Sequence, residues 1–338
     1  MKYAPILIPT LCRSEHFIRC VESLKKNEWA KYTDVYVALD YPAKETHWEG
    51  YNKIKEYLKG EFIEFASFNV VAREVNYGSA RNMCELRNDI LKKYDRFIRT
   101  DDDCEFSPNF IEYMDKSLEK YENDSDVVAI TGYSYPIKWS VSPSCTAFKN
   151  SLIFPMWGTG FWRKKFINMQ TELESDFIGK FVRKYGINRD EMTNARYVDC
   201  ICAATNYKNS LTKCVSDIAC GCYLQLTNKF IVTPVKSLVR NYGFDGSGVW
   251  CQNAQALLKH EYNASTYNYQ KQEIDNSATF ELKVDDNSSF EVNKRLLDKF
   301  DSRDELVIKQ CERKLKLQKF FGPTLYKKIW EIVHKNNG

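Results

Sequence analysis

Three consecutive carboxylates, Asp101, Asp102 and Asp103, stand between two hydrophobic stretches and form the chain's one run of three acidic residues. Adjacent like charges repel, so such a triplet is costly unless a cation sits among them. A divalent ion of the Mg²⁺ or Mn²⁺ kind suits it, because these ions take one or two carboxylates and keep positions open for phosphate oxygens. A solvated acidic turn is the other reading. The weight of the metal reading comes from placement. Phe97–Thr100 has the composition of a strand and runs into the triplet, while Ser107-Pro108 reads as the N-cap and first position of a helix through Phe110, Ile111, Tyr113 and Met114. Open α/β sheets bind ligands at the carboxyl ends of their strands.

Strands and helices that could position this turn alternate through the first half. Apolar spacing predicts strands over Tyr3–Pro9, Asp34–Leu39, Phe65–Arg73 and Val127–Thr131, and helices over Glu15–Lys25, Trp48–Leu58 and Ala80–Leu91. Such alternation specifies right-handed βαβ crossovers and a mainly parallel, Rossmann-like α/β sheet flanked by helices. Residues 1–135 therefore read as a nucleotide-binding half. Residues 136–255 are less regular, with helices expected over Lys164–Tyr185 and Val215–Leu226 and a short strand over Phe230–Thr233. Residues 256–290 are polar and read as an irregular excursion, and 291–338 regain helical periodicity as a C-terminal appendage. From Cys311 to Gly338 seven Lys or Arg face two Asp or Glu, interleaved with apolar residues. Such a helix can dock its apolar face on the domain or lie on an anionic membrane surface.

Composition bounds the classes. With 43% hydrophobic and 28% charged residues the chain is an ordinary globular protein, and a net charge of +4 gives no argument for nucleic acid. No run approaches the ~18 apolar residues of a membrane-spanning helix, and the apolar start reads as a strand rather than an export signal. The twelve cysteines are scattered. They read as reduced, mostly buried thiols of a cytoplasmic protein, and the Cys200/Cys202 and Cys220/Cys222 pairs lack zinc-knuckle spacing.

Taken in order, Pro9-Thr10 with Arg13, Asp40, the N-Y-G-S-A-R-N run at Asn76–Asn82, Asp101–Asp103, W-G-T-G-F-W at Trp157–Trp162 and Asp217 resemble a known family. They look like the GT-A-fold, nucleotide-sugar-dependent glycosyltransferases, in particular the family 2-like enzymes of bacterial surface polysaccharide synthesis. The block D-D-D-C-E-F-S-P-N-F-I-E-Y-M also resembles the metal-binding segment of the N-acetylglucosaminyltransferase I group. The resemblance covers about residues 3–251. It implies a UDP-sugar donor, a glycan or polyprenyl-linked acceptor, Mn²⁺ or Mg²⁺, inversion, and work at the cytoplasmic face of a membrane, where residues 311–338 could make a peripheral contact.

Residue by residue, the resemblance implies Asp103 as direct metal ligand, Asp101 in support, Asp102 near the ribose and Asp40 as acceptor of the uracil imide N–H. Pro9, Thr10 and Arg13 would form the first loop of the nucleotide pocket, beside Asn76. Gly78 lets backbone approach a ligand, and Arg81 could face uracil or phosphate or lie on a helix surface. Asp217 is the candidate base for the acceptor hydroxyl, against simple helix capping by Ser216 or Asp217; Asp199 is the second candidate. Trp157, Gly158, Gly160, Phe161 and Trp162 would line the donor and acceptor sugar pockets, or form an aromatic core. Ser237–Gly248 resembles the end of such a catalytic domain, where a histidine often follows near position 250. This chain has Trp250, which leaves Asp245 or solvent as third metal contact, and none of His16, His47, His260 and His334 is expected in the site. A nucleotidyltransferase would carry a glycine-rich loop after the first strand, which I-P-T-L-C-R-S-E-H-F lacks. A catalytically silent sugar- or nucleotide-binding protein is the remaining reading, favoured by Trp250 alone.

Overall fold

In the computed structural model the described residues are 2–205, 216–248 and 267–334. The strands are β1 (Ile6–Thr10), β2 (Asp34–Leu39), β3 (Ser67–Ala72), β4 (Arg96–Arg99), β5 (Cys104–Phe106), β6 (Val127–Thr131), β7 (Ala147–Asn150), β8 (Thr159–Trp162), β9 (Phe230–Pro234), β10 (Val239–Asn241) and β11 (Val284–Asp285). The helices are α1 (Ser14–Lys25), α2 (Trp48–Tyr57), α3 (Ser79–Ile90), α4 (Phe110–Lys120), α5 (Arg163–Glu174), α6 (Phe177–Tyr185), α7 (Asn194–Thr205), α8 (Asp217–Thr227), α9 (Phe290–Phe300), α10 (Glu305–Phe321) and α11 (Pro323–His334).

Nine strands form one sheet in the order β11-β7-β9-β6-β8-β4-β1-β2-β3. β3, β2, β1 and β4 pair in parallel, so the residues after β1, β2 and β4 emerge on one edge. β8 enters antiparallel between β4 and β6 and joins the two halves of the chain into one sheet. The fold class is α/β, a large, mostly parallel sheet flanked by helices.

Local chemistry explains where elements start and stop. The expected helix after Pro108 begins only at Phe110, and the single Ser107 hydroxyl proton is shared between Asn109 Oδ1, at 2.6 Å, and the Asp275 carbonyl. Asp176, with a positive φ of 61°, splits the single helix expected over Lys164–Tyr185 into α5 and α6. The polar segment before residue 290 is also less peripheral than its composition suggests. Its described part adds β11 to the sheet edge and buries Tyr269, Ile274 and Phe280. No helix among the described residues is long and apolar enough to cross a membrane.

Under β4, Asp115 of α4 is fully buried. Its Oδ1 accepts from the Ala4 N–H at 2.9 Å, while Oδ2 has no hydrogen-bond partner among the described residues. Burial pushes this carboxyl up to about 7, against the Ala4 bond and the nearby Arg96. The unfolded chain gives up this proton near pH 4 and the folded chain only near 7, so stability falls as pH rises across that window. Asp115→Asn keeps the acceptor without the charge. Its melting temperature should exceed that of the parent at pH 8 by ~2–4 °C, with the gain gone at pH 4, as read by calorimetry.

Candidate active site

The parallel pairing of β1 with β2 and β4 brings the ends of three strands together. Thr10 closes β1, Asp40 follows β2, and Asp101–Asp103 follow β4. Asp102 and Asp103 turn inward, 5% and 9% exposed, and Arg13 from the β1–α1 loop lies between them. It donates to Asp102 Oδ1 and, at 2.8 Å, to Asp103 Oδ2. Thr10 Oγ1 adds a bond to Asp102 Oδ2 at 2.9 Å. Burial opposes the charge on Arg13, but the two facing carboxylates outweigh it and raise the guanidinium further. Burial raises Asp102, and burial together with Asp101 pushes Asp103 up to about 7 despite Arg13. Asp101 is the outward member, held by Arg99 at 2.7 Å.

A second wall closes on Asp103 from β10, which pairs antiparallel with β5. Asn241 Nδ2 reaches Asp103 Oδ1 at 3.2 Å, and the Tyr242 N–H donates to the Asp103 carbonyl at 2.8 Å. At Gly243 a Cβ would stand 2.1 Å from Asp103 Oδ2, so only glycine permits this approach. Two residues on, Asp245 meets His16 Nε2 of α1 at 2.9 Å, and although burial opposes it, Ser247 and His16 hold Asp245 below the usual carboxylate range. His16 thus stands at the rim of the site, contrary to the expectation for the histidines. Trp250, on which the third metal contact turned, lies outside the described residues, as does His260.

Several expected roles do not fit the geometry. Asp40 is buried, and its carboxylate is filled by the chain itself. Tyr41 N–H and Tyr77 N–H donate to Oδ1 at 2.9 and 2.8 Å, and Gly78 N–H and Asn76 Nδ2 to Oδ2 at 2.8 and 3.4 Å. A carboxylate with four donors has no free lone pair for a base imide, so Asp40 brackets the 76–78 loop. Asp102 is 5% exposed and bonded to Thr10 and Arg13, so it presents little surface to a ribose. Phe161 and Trp162 lie in β8 with both rings buried, Phe161 stacked on Phe97 and Trp162 donating to the Leu118 carbonyl at 3.0 Å. Gly158 and Gly160 are packed under Phe110 and Met114 of α4. These four belong to the core because β8 is a central strand; only Trp157 of the run keeps exposed surface. Arg81 lies on the open face of α3, 4.0 Å over the Tyr77 ring and 3.8 Å from Glu85.

An aromatic cluster that sequence reasoning missed, with Tyr133 and Tyr269 buried and Tyr135 and Phe244 partly exposed, gathers around Trp157. Its ring meets Tyr133 at 4.7 Å and Phe244 at 5.7 Å; Tyr133 meets Tyr135 at 5.4 Å, and Phe244 stacks on Tyr269 at 4.1 Å. Phe244 adjoins Gly243, which ties the cluster to the Asp103 cradle. Asp217, exposed at the first turn of α8, is within electrostatic range of Tyr135 and of Arg196, whose side chain is 17% exposed. The cap of α8 is Ser216, whose Oγ accepts from the Ala219 N–H at 3.2 Å. Asp199 lies inside α7, paired with Arg196 at 3.4 Å. The signal that could have found the cluster was Y-S-Y at 133–135 together with N-Y-G-F at 241–244, two short runs of aromatic residues.

The metal question can be put to these residues. No group of three or more His, Cys, Asp or Glu is arranged to hold an ion among the described residues. Asp101 and Asp103 supply two hard oxygen donors, which is the protein share that Mg²⁺ or Mn²⁺ takes when phosphate and water complete the shell.

Among solved structures the chain is similar to S. aureus TarS 1–349, with 18% identity over 52% of this chain and 49% of that one and a TM-score of 0.33. The same fragment in complex with UDP gives 14% identity, 76% and 78% coverage and a TM-score of 0.36. A mannosyltransferase, PcManGT from Pyrobaculum calidifontis in complex with GDP-Man and Mn²⁺, gives 13% identity, 52% and 51% coverage and a TM-score of 0.34. The match thus spans about half the length of TarS 1–349 and of PcManGT. No family model and no curated protein matches the sequence.

Removing Arg13 would leave two buried carboxylates facing each other. Arg13→Ala is expected to lose about 3 kcal/mol at pH 8 in urea unfolding. The loss should shrink toward pH 5, because Asp103, already raised to about 7, then takes up a proton.

Proposed function

We propose that this chain is a GT-A-type glycosyltransferase that moves a sugar from a UDP-sugar to a hydroxyl of a glycan or polyprenyl-linked acceptor in surface polysaccharide synthesis. The observation that carries it is the convergence of Thr10, Arg13 and Asp101–Asp103 at the carboxyl edge of β1 and β4, beside an aromatic cluster in which Trp157 and Phe244 keep part of their rings exposed. That pairing of charge and ring faces suits a ligand with a diphosphate and a sugar. The donor sugar would be a hexose or an N-acetylhexosamine.

Asp103 and Asp101 would hold Mn²⁺ or Mg²⁺, which as a Lewis acid offsets the charge that collects on a departing nucleoside diphosphate. Arg13 keeps Asp102 and Asp103 in place and supplies positive charge next to the phosphates. The backbone of the 76–78 loop, fixed by Asp40, forms the side of the nucleotide pocket. Trp157 offers a ring face to the C–H face of a sugar. Asp217 takes the proton of the attacking hydroxyl as it closes on the anomeric carbon from the side opposite the leaving group, which gives inversion.

Calorimetric titration of UDP and of GDP, each with Mn²⁺ and with EDTA, tests the reading. Wild type should bind UDP only with metal, and Asp103→Ala should weaken that binding at least ~10-fold. Asp217→Asn should bind UDP normally and lose ~10²–10⁴-fold in transfer. If neither nucleotide binds under any condition, the proposal fails.

A further inference from the structure

The C-terminal helices bury one face and leave another open. α10 docks beside α7 through Ile308, Cys311, Leu315 and Gln318, all buried. Arg189 grips both oxygens of Glu305 at 2.9 and 2.8 Å, and Tyr197 Oη reaches Glu312 at 3.3 Å, so two of the acidic groups of this region are spent on docking. The opposite side is different. Leu317, Phe320 and Phe321 at the end of α10 are exposed, Phe320 by 83%. Gly322, at φ 74°, then turns the chain into α11. There Leu325, Ile329 and Ile332 follow one another at helical spacing on an exposed stripe, Ile332 by 68%, while Tyr326 on the other side is buried. Lys309, Arg313, Lys314 and Lys328 are exposed as well, whereas Lys316 and Lys319, although exposed, line the cleft between α10 and α6 with Tyr185 and Glu312.

Single exposed apolar residues need no explanation, but a run of six across two joined helices does. We propose that this face of α10 and α11 is a docking surface for an anionic lipid bilayer. The apolar stripe would enter the boundary between headgroups and acyl chains, and the lysines would stay at headgroup level, their stems along the stripe. Charge decides between occupants. A second copy would bring two arrays of lysines together, whereas anionic headgroups neutralise them. This inference does not depend on the sugar-transfer reading.

Vesicle flotation of the whole protein tests it, with phosphatidylcholine alone and with added phosphatidylglycerol. The probes are Phe320→Ser with Ile332→Ser, and Arg313→Glu with Lys314→Glu. All four side chains are exposed, so unchanged melting temperatures should show that folding is intact. Wild type should float only with the anionic vesicles and come off as salt is raised. Each double variant should bind at least ~10-fold more weakly. Wild type that fails to float, or variants that float like wild type, would overturn the proposal. So would equal flotation on neutral vesicles. A wild-type dimer in size-exclusion chromatography that Phe320→Ser with Ile332→Ser converts to monomer, without vesicle binding, would instead assign the face to self-association.

Discussion

Arg13 lying between Asp102 and Asp103 is the contact on which the site depends. Two carboxylates cannot be buried side by side in a low-dielectric sheet edge without a counter-charge, since desolvation and mutual repulsion act together. Arg13 supplies it from the loop after β1, and Thr10 completes the shell of Asp102. That exchange ties the end of β4 to the start of α1, and α1 in turn carries His16 to Asp245. The same clamp leaves Asp101 outermost and fixes which oxygens remain for a ligand.

Around this clamp the molecule uses close backbone approach where a side chain would block. Gly243 lets β10 close over Asp103, and the 76–78 loop is bent onto Asp40 so that its own N–H groups saturate the carboxylate. Gly78 stands there at φ 75°, a conformation that other residues rarely adopt. The outcome is a rim of fixed backbone and charge beside an aromatic cluster of which Trp157 and Phe244 stay partly exposed. That combination suits a ligand with a charged end and a sugar face.

The sheet of the first half was legible because its strands are four to six residues long and separated by helices with strong apolar spacing, as in Asp34–Leu39 and Val127–Thr131. β5, β7, β8, β10 and β11 were not. They have two to four residues, too few for a periodic signal, and exist because a partner strand is there to pair with. Asp176 could not be recognised as a helix break either, since nothing in its neighbours signals a left-handed residue.

For the site, the order of residues along the chain determined which groups meet. Parallel pairing of β1, β2 and β4 obliges Thr10, Asp40 and Asp101–Asp103 to share an edge, and strand composition specifies that pairing. What each group does once there was decided by tertiary structure alone. Asp40 and Asp102 look like open acceptors in sequence, yet local N–H groups fill Asp40, and Asp102 is buried against Thr10 and Arg13. W-G-T-G-F-W looks like one pocket wall, yet β8 is inserted between β4 and β6, so Phe161 and Trp162 become core and only Trp157 keeps open surface. A sequence shows how many lone pairs and rings are present. Which of them remain available depends on neighbours that lie far away in the chain and close in space.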